Sequence, residues 1–196
     1  MNSKIVKHMA AAAAAAVVAG AANAAVVTWN INMVIPANID GLYVNVEAQT
    51  SGSTGGAVAG WDINPYGATS LYFYNSVGGG VMRYPGVTTG SAGSLAQGTS
   101  VGGTASYGSG AVTFGATAGN WTLNASNYFG FKFVAADGLT HFGFGRMDVG
   151  AAAATRTLAF VAYETVANTA ISVTPAPGAI ALLGLAGLAG RRRRTA

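Results

Sequence analysis

The 196-residue sequence contains no cysteine, which excludes disulfides, Fe–S clusters, Cys-type zinc sites and thiol catalysis. Charge is also scarce: only 8% of residues are Asp, Glu, Lys or Arg, and they are unevenly placed. Lys4 and Lys7 lie at the N-terminus and Arg191 to Arg194 at the C-terminus, so the formal +4 belongs to the tails. Across residues 25–174, Lys132, Arg83, Arg146 and Arg156 stand against Asp40, Glu47, Asp62, Asp137, Asp148 and Glu164, four cations to six acids and a net of −2. A phosphate-gripping surface needs Lys and Arg gathered on the folded domain, so no nucleic-acid partner is expected. Histidine is equally sparse. His8 falls in the leader, leaving His141 as the single imidazole of the body, too few for a histidine metal site.

What is present starts with two ends that read as addresses. Lys4 and Lys7 form a positive n-region, residues 9–19 an apolar h-region built on alanines, and Ala22-Asn23-Ala24 a small-residue cleavage triplet. This is the three-part pattern of a signal peptide, with cleavage by signal peptidase expected between Ala24 and Ala25. An 11-residue alanine-rich core is too short to span about 30 Å of hydrocarbon. At the other end, residues 178–190 form an uncharged apolar run, preceded by Pro175 and Pro177 and followed by Arg191, Arg192, Arg193 and Arg194. A basic stop beside an apolar helix holds the arginines in the cytoplasm under the positive-inside rule, so a short membrane helix is expected there.

The order Pro175-Ala176-Pro177-Gly178, apolar helix, arginine cluster resembles the C-terminal sorting tail of PEP-CTERM proteins. The resemblance covers about 22 residues, 175–196. It implies recognition by exosortase, a membrane-embedded transpeptidase-like enzyme of bacteria that make exopolysaccharide. The family's usual motif is Pro-Glu-Pro, and Ala176 stands where the glutamate would be. A plain C-terminal membrane anchor without processing is the competing reading. Segments of the middle, residues 61–67 and 138–143, are also similar to parts of other PEP-CTERM proteins, with no activity attached to them.

Residues 25–174 are long enough for a single core, since a chain of about 150 residues buries roughly 70% of its unfolded surface. Period-2 alternation dominates. It predicts strands over residues 29–33 and 42–49, with Asp40-Gly41 as turn chemistry, and shorter ones over 71–75, 112–114 and 121–123. The clearest hairpin joins 128–134 to 139–149 through Ala135 to Gly138, with Asp137-Gly138 as the turn. Phe129, Phe131 and Phe133 share a face opposite Lys132, and the glycines around Phe142 and Phe144 allow close approach by a neighbouring strand or ring. A further strand is expected over 158–164. Gly/Ser-rich loops are expected near 50–60 and 77–110, the second hiding one or two weak strands around 94–101. The expected fold is all-β: one antiparallel β-sandwich or jelly-roll-like domain, flanked by an N-terminal signal helix and a short C-terminal membrane helix.

Chemistry-bearing candidates are few. His141 is the one base a Ser-His-Asp mechanism would pass through, but no nucleophile-elbow motif accompanies it, so a surface or cross-strand role is expected. Asp40 and Asp137 precede glycine in turns. Glu47, Asp148 and Glu164 are assigned to strands with Arg146 or Arg156 as cross-strand partners, and no spacing pairs them for glycoside hydrolysis. Asp62 and Asn64 offer oxygens at i and i+2 as calcium loops do, but the rest of the ligand set is missing, and Asn64-Pro65 is expected to start a turn. No catalytic residue, metal or cofactor is therefore assigned. Trp61, Tyr72 and Tyr74 are the candidate glycan contacts, because aromatic faces stack on sugar rings; core filling is the alternative. The expectation is an exported cell-surface or extracellular-matrix protein, not an enzyme, held transiently at the inner membrane and associated with exopolysaccharide. The alternatives are a lectin-like polysaccharide-binding module and, less favoured, a secreted hydrolase.

Overall fold

The computed structural model describes residues 24–90 and 92–174. In chain order the strands are β1 (Val26–Trp29), β2 (Met33–Val34), β3 (Tyr43–Asn45), β4 (Thr50–Gly52), β5 (Ile63–Tyr66), β6 (Tyr72–Asn75) and β7 (Gly80–Met82). They continue as β8 (Ser100–Val101), β9 (Tyr107–Gly108), β10 (Gly110–Ala111), β11 (Ala125–Val134), β12 (Thr140–Val149), β13 (Arg156–Glu164) and β14 (Ile171–Ser172). One 3₁₀ turn, Gly55–Ala57, interrupts them, and every strand pairing is antiparallel. The larger sheet runs β1-β13-β12-β11-β7-β9 with β2 also on β13; the second runs β10-β6-β5-β3-β4; β14 and β8 form a small pair. The signal helix and the C-terminal helix expected from sequence lie outside the described residues. Among the described residues no helix is long and apolar enough to cross a membrane.

The longest strands form where aromatics and glycines interlock. Phe131 pairs with Gly143 and Phe129 with Gly145 across β11 and β12, while Gly130 pairs with Phe144. A Cβ at Gly143 would lie 2.4 Å from Phe131 Cζ and 2.6 Å from the Ala162 carbonyl oxygen, so only glycine fits beneath that ring. The predicted turn closes this hairpin: Gly138 takes φ +77°, and the Ala135 N–H donates to the Leu139 carbonyl.

Phe129, Phe131 and Phe133 point to one face of the larger sheet and pack with Val44, Ile63, Leu71 and Phe73 of the second sheet in a single apolar cluster. On its opposite face Phe142, Phe144 and Phe160 pack with Val101, Ile171 and Val173, so β8 and β14 cover what would be an exposed aromatic surface. The Gly/Ser-rich stretch 77–110 does carry short strands, β7 to β9, and Leu95 bridges to Tyr128.

Four strand expectations are corrected. The alternation at 29–33 breaks at Asn32, whose φ of +45° separates β1 from β2 and leaves Met33 on the surface. The run 42–49 folds back on itself as the β3–β4 hairpin, because Asn45 Oδ1 accepts the Ala48 N–H and Gln49 takes φ +53°. Glu47 is therefore a turn residue, and Ala48 is exposed. Finally, 112–114 and 121–123 contribute only the isolated bridge between Phe114 and Trp121, because the Gly-rich turn between them leaves no ladder to extend.

Candidate functional site

The second sheet carries aromatics on the side away from the core. Alternation in β6 buries Phe73 and turns Tyr72 and Tyr74 outward, and the β5–β6 register sets Tyr66 opposite Tyr72 and Asn64 opposite Tyr74. Tyr66 and Tyr72 stack with centroids 5.3 Å apart. Trp61 packs edge-on against Tyr43 at 5.1 Å and tilted against Tyr74 at 5.8 Å. Of the three predicted glycan contacts, Trp61 and Tyr74 are thus brought together, and Tyr72 belongs to a separate pair. Tyr74 is 55% exposed, the most accessible ring of the strip. Tyr43 joins this surface although sequence reasoning passed over it; its position opposite buried Leu42 and Val44 was the available signal.

The Gly/Ser-rich insert positions Trp61. Asn45 Nδ2 donates to the carbonyls of Ala59 and Gly60, each at 2.9 Å, fastening the approach to the tryptophan. A Cβ at Gly55 would sit 3.0 Å from Tyr43 Cε1 and 3.3 Å from Trp61 Nε1, so the insert lies against the edge of the pair.

Between the β3–β4 turn and the β11–β12 turn opens a cleft of about 220 Å³ lined by Asn45, Glu47, Asp62 and Ala136 among others, none of them an aromatic of the strip. Asp62 is buried and its Oδ2 accepts the Val46 N–H at 2.8 Å. Burial pushes its pKa up to about 7; the Val46 hydrogen bond opposes the rise and the nearby Glu47 charge adds to it. Glu47 Oε2 accepts the Ala136 N–H at 2.8 Å, bridging the β3–β4 turn to the β11–β12 turn. Asn64 donates to the Asp40 carbonyl at 2.7 Å. Asn64-Pro65 does not start a turn: both lie within β5, and the proline is tolerated because on the β3 side it serves only as acceptor, its carbonyl taking the Leu42 N–H at 3.0 Å. Among the described residues no group of three or more His, Asp or Glu side chains could hold a metal ion.

His141 is buried between strands, with Nδ1 2.9 Å from the Glu164 carbonyl oxygen and Nε2 3.1 Å from the Asp137 carboxyl. Both ring nitrogens are engaged, leaving none to serve a nucleophile. Burial opposes the imidazolium, but the carbonyl and carboxylate acceptors outweigh it and raise the pKa above its ordinary value. Arg146 pairs with Asp148 at 3.0 Å, but as a neighbour two residues along β12 and not as the cross-strand partner expected. Arg156 instead donates to four backbone carbonyls, those of Ser70, Ala153, Pro36 and Gly67, and not to an acid. A cleft of about 430 Å³ near Arg83 offers no free cation either, because that guanidinium donates to the Gly90 and Tyr107 carbonyls and to Ser106.

Ala24 and Ala25 are described and exposed; Ala22, Pro175, Ala176, Pro177, Gly178 and Arg191 to Arg194 lie outside the described residues. No protein-family model, no curated protein and no solved structure matches the chain.

Proposed function

We propose that this is an exported protein of the cell surface or extracellular polysaccharide matrix, sorted by an exosortase-type system, whose body acts structurally and not by turnover. The observation that carries the reading is the order of the chain. A charge-poor all-β body follows a signal-peptidase triplet at Ala22 to Ala24 and precedes a proline motif, an apolar run and four arginines. The arginines stop translocation, the apolar helix presents Pro175 to Gly178 at the membrane face, and cleavage near Pro175 frees or transfers the body. The body is read as a β-sandwich with jelly-roll-like closure. Supporting this role, its cations face inward or to neighbours: Arg83 and Arg156 on carbonyls, Arg146 on Asp148, and Lys132 over the Tyr107 ring at 5.3 Å. Terminal peptide mass spectrometry on inner-membrane, outer-membrane and extracellular-polymer fractions tests it. A body from Ala25 to about Thr174 outside the cell is expected, whereas an intact arginine tail in the inner membrane would withdraw the sorting reading.

One observation favours a second reading, a lectin-like polysaccharide-binding module: the Tyr43–Trp61–Tyr74 cluster, with the Asn45 amide anchored on the Ala59 and Gly60 carbonyls that precede Trp61. Aromatic faces with flanking hydrogen-bonding groups are the usual makeup of a small-ligand site. Tyr74→Ala, at an exposed position, is expected to abolish retention on immobilised exopolysaccharide without lowering stability. Unchanged retention in Tyr74→Ala and Trp61→Ala would dismiss this reading.

A further inference from the structure

The Glu164 side chain ends β13 without a cation. It is 4% exposed, and among the described residues it makes no ion pair. Its Oε1 accepts two backbone N–H groups, from Ala25 and from Val166, each at 3.0 Å. Ala25 is fixed there from its other side, because the Thr165 N–H donates to the Ala25 carbonyl at 3.0 Å and Val26 opposite Glu164 is the first pair of the β1–β13 ladder. A buried carboxyl ordinarily has a positive partner, and two neutral donors only partly replace its lost hydration.

The nitrogen that meets Glu164 is also the one that the cleavage reading singles out. Hydrolysis of the Ala24–Ala25 peptide bond by signal peptidase adds one water. Ala24 leaves as a carboxylate, and the Ala25 amide, a single neutral donor, becomes an α-ammonium with three donors and a full charge. Its ordinary pKa is about 7.7–8.0, so it is largely protonated at neutral pH.

We infer that Glu164 is the receptor for the new N-terminus: leader removal creates an ion pair between the Ala25 α-ammonium and the Glu164 carboxylate, which fastens β1 to β13 in the processed protein alone. This inference rests on the cleavage site proposed above. It couples export to fold closure, because among the described residues β1 is an edge strand of the larger sheet and has no neighbour on its far side. Before cleavage the contact is a neutral amide donating to the carboxylate; after it, donor and acceptor both carry charge and the hydrogen bond becomes an ion pair. Other titratable groups at this end of β13 are His141, bonded to the Glu164 carbonyl, Asp137 behind it, and the adjacent Tyr163. Replacing Glu164 alone leaves all three in place.

The test uses the full chain, leader included, expressed in an exporting bacterial host. The exported product is purified, its first residue read by mass spectrometry, and the rate of α-amine acylation by acetic anhydride followed against pH. Lys132 is the only lysine beyond Lys7 and serves as the internal reference. In wild type the midpoint of the rate is expected about one pH unit above that of Glu164→Gln, making acylation at pH 7 about tenfold slower. The urea-unfolded wild type supplies the same comparison if Glu164→Gln does not fold. A start at Ala25 with equal midpoints in folded and unfolded wild type, or in wild type and a folded Glu164→Gln, overturns the ion pair and leaves the cleavage reading standing. A first residue other than Ala25 overturns both.

Discussion

Strands β11, β12 and β13 are 10, 10 and 9 residues long, whereas among the described residues no strand before Ala125 exceeds 4. The two regions are built on different interactions. In the C-terminal region Phe129 and Phe131 of β11 cover Gly145 and Gly143 of β12, so register and packing are specified by the same residues along the middle of a long ladder. In the N-terminal region glycine is the commonest residue, and side chains bonded to distant backbone do what long ladders do elsewhere. Arg156, Asp62, Asn45 and Asn64 each tie a loop or turn to a strand or to the next turn. Cooperative ladders are thus replaced by point attachments, each of which matters more.

The sharpest break in that comparison is at Arg156, which belongs to the long-strand region and bonds the short-strand one. Arg156→Met keeps most of the stem and removes the donors for carbonyls at Pro36, Gly67, Ser70 and Ala153. Unpartnered buried groups of this kind cost about 1–3 kcal/mol each, not additively, so a loss of about 3–5 kcal/mol is expected. It would appear as a lower urea midpoint at unchanged slope. A loss below 1 kcal/mol would mean that the loops are held by packing and that the proposed contrast is false.

Gly143→Ala probes the other region. The added Cβ would meet the Phe131 ring at 2.4 Å and the backbone oxygen of Ala162 at 2.6 Å, and the latter cannot move without parting β12 from β13. Overpacking of this kind costs about 1–3 kcal/mol. Gly138→Ala, with open space around its Cβ and only the φ of +77° to strain it, should cost less, about 1 kcal/mol. Equal losses for the two variants would show that the glycines of β12 serve backbone freedom and not ring contact.

The same contrast explains what was legible from sequence. The hairpin around Asp137-Gly138 was readable because its cause is local: alternating aromatics on either side of a turn dipeptide. The outward facing of Tyr72 and Tyr74 was readable for the same reason. The break at Asn32 was not, since an asparagine takes a left-handed conformation only when its surroundings favour it, and alternation through Trp29, Ile31 and Met33 masks the interruption. Pro65 inside β5 depends on the Leu42 N–H meeting its carbonyl, a fact about another segment. The candidate site divides likewise: Trp61 and Tyr74 were recognisable as residues, but Tyr43 beneath Trp61, the burial of Asp62 under the Val46 N–H and the union of Glu164 with Ala25 all join positions far apart in the chain.

An effect of similar size to that of the glycine variants is expected with the opposite sign. Asp62 has a folded pKa of about 7 against an ordinary 3.8, first because it is buried and then because Glu47 lies nearby, with the Val46 N–H acting against both. The folded state therefore binds this proton more tightly than the unfolded one. Stability contributed by the group is complete below about pH 4, declines as the pH rises toward 7, and is gone above it. Asp62→Asn retains an oxygen for the Val46 N–H and removes the charge. It should be more stable than the parent by about 1–2 kcal/mol at pH 8, after allowing for partial hydration of the cleft, and no different at pH 4. Thermal unfolding of both proteins across pH 4–8 measures this directly. A parent more stable than Asp62→Asn at pH 8 would mean that the carboxylate is held ionised by a partner in the cleft and that this attachment is ionic, not a neutral hydrogen bond to the Val46 N–H.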